Sequence, residues 1–183
     1  LQSNVKVAAL IAPSFPAEFS DIDDYRTFVG MIRELGFSYV FEVAFGADLV
    51  ALQYKKLLED KSGKGYISSD CPAIVSYIRY YHPDLVDNLS PIVSPMVATS
   101  RFVRKKLGDD VKLVFIGPCI AKKAESDEVD EVLTFRELRG MIEHAGIIKD
   151  DVNPSDFDSP HAGRGAIFPV SRGLMQTIDI FDD

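Results

Sequence analysis

Cysteine occurs only twice in these 183 residues, and histidine three times. Two thiols cannot make a disulfide scaffold, and a chain long enough for one sizeable core does not need one, so a reducing cytoplasm is the expected setting. No apolar run reaches the roughly 18 residues that a membrane span requires, and no charged-then-apolar leader is read at the start. Positive charge is also short: 20 Lys and Arg against 28 Asp and Glu leave a net −8 and a sequence pI near 4.9. That balance argues against a nucleic-acid or anionic-membrane surface. Repeats and low-complexity tracts are missing as well.

What is present is an ordinary globular composition, 46% hydrophobic and 26% charged, enough for one domain. "VKVAALIAP" reads as a buried strand ended by Pro13. Ser20 is expected to cap a helix carrying Tyr25, Phe28, Val29, Ile32 and Leu35 at helical spacing, with Gly36 as its stop. "FSYVFEV" predicts a second strand, and "ADLVALQYKKLLEDK" a second helix. "YISS" predicts a short strand, followed by a helix from Pro72 through Tyr81, since proline suits the first helical position. "SPMVATSRFVRKKLG" predicts a helix closed by Gly108, "VKLVFIG" a strand, and Thr134 with Glu137 a capping box for a helix stopped by Gly146. "GAIFPV" reads as one more strand in a turn-rich tail. Apolar strands alternating with amphipathic helices predict an α/β fold with a mainly parallel sheet flanked by helices.

The two cysteines stand in matching places. Cys71 lies in "YISSDCPAIVSYI" and Cys119 in "VFIGPCIAKKAE", each after an apolar run and beside a proline. Functional groups of open α/β sheets gather at the carboxyl ends of strands, so these two loops and Ala12-Pro13-Ser14 are expected to converge on one crevice. Four readings of the pair compete. The thiols could be two small buried hydrophobes. A nucleophile would need a base, but His82, His144 and His161 carry no recognisable signature. Zinc would want shorter ligand spacing. An iron–sulfur cluster suits strand-end thiolates, but it takes about four and this chain offers two.

Taken with their neighbours, these loops resemble a known family. "APS" at 12–14, "LGFSYVFEVAFGADL" at 35–49, "SSDCP" at 68–72 and "NLSPIVSPM" at 88–96 come first. "GPCIAKKAE" at 117–125, "DEVLTFRELRGMIEHAGI" and "GAIFPVSRGLM" then follow. In this order they are similar to the first lobe of the two-lobed catalytic domain of iron-only (FeFe) hydrogenases, over residues 5–183; residues 1–4 carry no functional weight. The resemblance implies that Cys71 and Cys119 are two of four ligands to the 4Fe-4S cubane of the H-cluster. The other two would come from a C-x-x-x-C motif later in the family's sequence, whose last cysteine bridges to the diiron centre. It further implies that Pro13 and Ser14 lie against one diiron cyanide and that Lys122 places its ammonium on the other. Glu125 and Ser90 match residues of the proton path, while Lys123 reads as a solvated helix start.

The departures from the family pattern shape the functional expectation. Asp70 stands where the family has the cysteine that relays protons to the diiron bridge, a role a carboxyl can also fill. Two path glutamates fall at Tyr54 and Leu57, and leucine cannot carry a proton. Gly117 replaces a methionine over the diiron site, and Met96 replaces a polar residue. The expected function is an iron–sulfur, hydrogenase-like domain that is regulatory or hydrogen-sensing in its full-length form. Its partners would be dihydrogen or protons and a redox or signalling domain, with no nucleic acid and no membrane. One alternative is a hydrogenase enzyme that uses Asp70 as its final relay; another is a non-catalytic iron–sulfur or protein-binding module. This chain alone is expected to be iron-free and inactive, its cluster-facing surface solvent-exposed, disordered or covered by a second copy.

Overall fold

The computed structural model describes residues 5–59, 63–125 and 127–178. In chain order the elements are β1 (Val7–Ile11), α1 (Phe15–Glu18), α2 (Tyr25–Glu34), β2 (Tyr39–Glu42), α3 (Val43–Glu59) and α4 (Pro72–Tyr81). They are followed by α5 (Pro95–Leu107), β3 (Lys112–Gly117), β4 (Glu131–Thr134), α6 (Phe135–His144) and α7 (Gly173–Thr177). The strands form one fully parallel sheet in the order β2-β1-β3-β4. Ala8 pairs with Tyr39 on one side and Leu113 on the other, and Phe115 pairs with Val132. Every residue of β1 is buried, as a central parallel strand covered on both faces must be. The core runs from β1 and β3 through Phe28, Val29 and Ile32 of α2 to Val103 of α5 and Leu138 of α6. Among the described residues no helix is long and apolar enough to cross a membrane.

The periodic elements form where the pattern places them. The helix over Pro72–Tyr81, the Ser94 cap of α5 and the Thr134–Glu137 capping box are all present. Gly36 and Gly108 end their helices at φ 96° and 89°. α3 begins at Val43, four residues before the start expected from the sequence, and buries Val43, Ala44, Ala47, Val50, Ala51 and Tyr54 on one side.

Three expectations fail, and one strand was not expected. The cap of α2 is Asp24, whose side chain accepts from the backbone N–H of Arg26; Ser20 lies in the preceding turn. "YISS" is no strand of the sheet: Ile67 makes a single parallel bridge to Leu89, outside the named strands. "GAIFPV" is a 3-10 helix, Arg164–Ile167, running into a turn. Its geometry follows from close approach, because a Cβ on Gly165 would collide with the carbonyl oxygen of Ala44. Finally, β4 was hidden: four residues between an acidic loop and a capped helix are too few to show alternation.

Candidate functional site

Cys119 follows β3 directly, after Gly117-Pro118, and caps a 3-10 helix, Ile120–Ala124. Cys71 caps α4. The two cap residues share nearly the same extended backbone, φ −106° and ψ 109° at Cys71, φ −103° and ψ 116° at Cys119. Both thiols are free; Cys71 is exposed and Cys119 half-buried. The helices they cap pack against each other, so the two cysteine loops adjoin. Cys71 reaches this place from a loop off the sheet, not from the strand end expected of it.

Lys122 joins the loops. Its Nζ donates to the backbone carbonyl of Asp70 at 2.9 Å and pairs with the Glu125 carboxylate, one 3-10 turn along. Both side chains are largely buried, 14% and 13% exposed. Lys123, by contrast, is exposed and pairs with Glu137 at 2.7 Å, the solvated role expected of it.

Asp70 sits at the centre of a polar chain. Ser68 Oγ donates to Asp70 Oδ2 at 2.5 Å, and Tyr54 Oη donates to Ser68 Oγ at 3.3 Å while accepting from Ser69 N at 3.4 Å. Burial pushes the Asp70 carboxyl above the usual carboxylate range, opposed by the Ser68 hydrogen bond and the Lys122 charge and reinforced by Glu125. Asp70 Oδ1 is buried with no hydrogen-bond partner. Glu125 Oε2 is also buried without a hydrogen-bond partner among the described residues and is held by charge against the Lys122 ammonium. An unpaired buried carboxylate oxygen thus lies one residue from an exposed thiol.

The other sequence candidates divide. Ser90 is buried one loop away: its Oγ accepts from Ile92 N at 3.2 Å and its carbonyl accepts from Ser69 Oγ at 2.9 Å. Pro13 lines a separate cavity of about 610 Å³ with Phe15, Glu42, Phe157 and His161. Ser14 caps α1 without a side-chain hydrogen bond. Neither is joined by a described hydrogen bond to the cysteine loops. Leu57 faces an apolar groove with Leu49, Pro91 and Ile92, and Met96 is a core residue, 1% exposed. A Cβ at position 117 would meet the Phe115 ring at 2.7 Å and Ala12 Cβ at 3.1 Å, so a larger residue there requires that ring to move. Sequence reading missed Ser68, Phe115 and the bonding role of Tyr54. The available signals were a serine two residues before Asp70 and an aromatic two before Gly117, on the same side of a strand.

Among the described residues no group of three or more His, Cys, Asp and Glu side chains could hold a metal ion. The donor chemistry fits one half of a thiolate-bound cluster site: two free cysteines on matched caps, a lysine behind them and an unpaired carboxylate oxygen.

The description "Iron only hydrogenase large subunit, C-terminal domain" belongs to the family model that matches residues 5–181. Iron hydrogenase 1 of Clostridium pasteurianum is 32% identical over 169 residues, covering 79% of this chain and 29% of that protein. The cytosolic Fe-S cluster assembly factor narfl of Xenopus tropicalis is 26% identical over 176 residues, covering 80% of this chain and 37% of that protein. Among solved structures, a variant of the FeFe-hydrogenase of Chlamydomonas reinhardtii superposes with a TM-score of 0.77 at 25% identity, over 94% of this chain and 51% of that one. The chain thus spans about 30% of the first curated hydrogenases it matches.

Proposed function

The chain belongs to the family defined by the C-terminal domain of the iron-only hydrogenase large subunit, and on that premise we propose that it supplies two thiolates to a cluster in a domain whose full-length form senses dihydrogen. Cys71 and Cys119 would hold the 4Fe-4S cubane, with two further thiolates from outside these 183 residues. When bound, the complete cofactor supplies the redox chemistry of dihydrogen. Lys122 would orient the cluster-facing loops and offer positive charge to a buried anion. Asp70 would hold or release a proton at Oδ1, the oxygen that Ser68 leaves open.

The observation that supports a regulatory role is the fate of the outer proton path. Tyr54 and Leu57 fall at the two positions where the resemblance expects glutamates; Leu57 itself carries no titratable group, and the groove it lines is mostly apolar, with Lys56 and Arg101 as its charged members and no carboxylate. Protons would therefore reach Asp70 slowly, which suits detection and not fast turnover. The test uses the full-length protein, matured anaerobically. Dihydrogen should change its infrared or paramagnetic signature while hydrogen evolution stays far below that of a full-path hydrogenase. Evolution at the full-path rate would overturn the regulatory reading.

A second reading, an iron–sulfur assembly or binding module without a diiron centre, is favoured by the Phe115 ring, which takes the space beside position 117. Iron counting separates the two: a matured full-length protein with four irons and no diiron signature supports the module.

A further inference from the structure

Lys122 does something before any cofactor arrives. Its ammonium reaches from the Cys119 loop to the carbonyl of Asp70, the residue directly ahead of Cys71, and Glu125 holds it from one turn away on its own element. Three residues per turn place 122 and 125 on one face of the 3-10 helix, so the carboxylate fixes the direction in which the lysine points. The pair is largely shielded from water, where a charge-assisted bond is worth more than on a surface. The Asp70 carbonyl also lies ahead of a backbone constrained by Pro72, which limits the conformations open to Cys71. We infer that the Glu125–Lys122–Asp70 carbonyl contact is a strut that holds the two cysteine loops together, so that Cys71 and Cys119 form a preorganised dithiol in the iron-free chain. Lys122 and Glu125 are positioning residues in this role; neither needs to touch the cluster.

The strut rests on the shared-ligand reading of the cysteines and is independent of dihydrogen chemistry. It predicts a proximity that can be scored without metal. The probe is dibromobimane, which becomes fluorescent when each of two nearby thiolates displaces one bromide. The reduced wild-type chain should bridge Cys71 to Cys119 intramolecularly. Lys122→Met should lower the bridging rate relative to single-thiol alkylation by about tenfold, the equivalent of about 1.4 kcal/mol for one hydrogen bond to a charged group. Lys122→Arg should restore most of it, because a guanidinium can still span carboxylate and carbonyl. Glu125→Gln should fall between. Far-UV circular dichroism and the midpoint of urea unfolding identify any variant that has simply lost its fold. Bridging in Lys122→Met at the wild-type rate would overturn the strut, as would failure of Lys122→Arg to rescue a folded protein. Failure of the wild type to bridge at all would overturn the shared-ligand reading together with it. A positive result in iron-free protein stands even if the full-length protein proves inert toward dihydrogen.

Discussion

Replacing Tyr54 by glutamate, the residue the resemblance expects at that position, should damage this protein, and should damage it less when Asp70 is changed with it. Tyr54 is 5% exposed, and its hydroxyl serves Ser68 and Ser69 at 3.3 and 3.4 Å. Losing those two bonds costs about 1 kcal/mol each. Charge repulsion adds a comparable cost. Tyr54 reaches Asp70 through Ser68, and a shorter glutamate would stand its carboxylate at about 8 Å from that of Asp70, where an effective dielectric near 20 gives a repulsion of about 2 kcal/mol. Tyr54→Glu alone should therefore cost about 4 kcal/mol at pH 7, and about 2 kcal/mol less in an Asp70→Cys background. The assay is a four-variant cycle of urea unfolding at pH 7, fitted as two-state transitions. Because a carboxyl loses its charge on protonation, the coupling should shrink as the pH is lowered. Additivity within about 0.5 kcal/mol would refute the claim that positions 54 and 70 act as a pair.

Other outcomes follow from other contacts. Asp48 accepts from Gly163 N at 2.7 Å and from Gly165 N at 2.6 Å, so Asp48→Ala should cost about 2–4 kcal/mol and speed hydrogen exchange at those two amides before the sheet is affected. Unchanged exchange there would show that the segment is held by something else. Gly117→Met should destabilise by about 1–3 kcal/mol through collision with Phe115, and adding Phe115→Ala should cost less than the roughly 3–5 kcal/mol of that truncation in the wild type. Strictly additive costs would mean the two side chains do not compete for one space. Glu137, bonded by Lys123 and Thr134, has its pKa lowered to about 2. Its folded value lies below its unfolded one, so its contribution to stability is complete above about pH 4.5 and is lost as pH falls toward 2. Carboxyl NMR should show that midpoint, and Lys123→Ala should raise it; an ordinary glutamate midpoint in the wild type would refute the contact.

The fold was legible where local chemistry is strong. The Thr134–Glu137 box, the proline-started helices α4 and α5 and the apolar run of β1 each announce themselves within a few residues. It was illegible where long-range contact decides. "GAIFPV" has strand composition, but Asp48 claims the amides of Gly163 and Gly165, and Gly165 lies against the backbone of α3. "YISS" likewise looks like a strand but finds only one bridge partner, at Leu89. For the site, motif order placed Cys71, Cys119 and Lys122 in one neighbourhood. It could not show that Pro13 opens onto a different cavity, because Pro13 sits at the end of β1 and turns toward β2 and the 156–162 loop. Nor could it show that Ser68 stands between Tyr54 and Asp70, since Tyr54 is 16 positions before Asp70 and the two meet only in the fold.

The departures from the family pattern are best understood together. A chain that had merely lost selection on its catalytic residues would be expected to carry unpaired polar groups and voids where they once stood. Here the opposite holds at several of those positions. Tyr54, in place of a carboxylate, is bonded to Ser68 and Ser69. Gly117, in place of a long side chain, lies under the Phe115 ring with no room for a Cβ. Met96, in place of a polar residue, is a closed part of the core. Two departures differ: Leu57 borders an open groove, and Asp70 keeps an Oδ1 that is buried without a partner next to an exposed thiol. An unpaired buried carboxylate oxygen costs about 1–3 kcal/mol or more, a cost that a partner supplied by the completed domain would offset under the proposed cluster reading. Replacing Asp70 by asparagine keeps its shape and its Ser68 contact. It should therefore leave the isolated chain at least as stable as before, while weakening whatever the completed domain does at that oxygen.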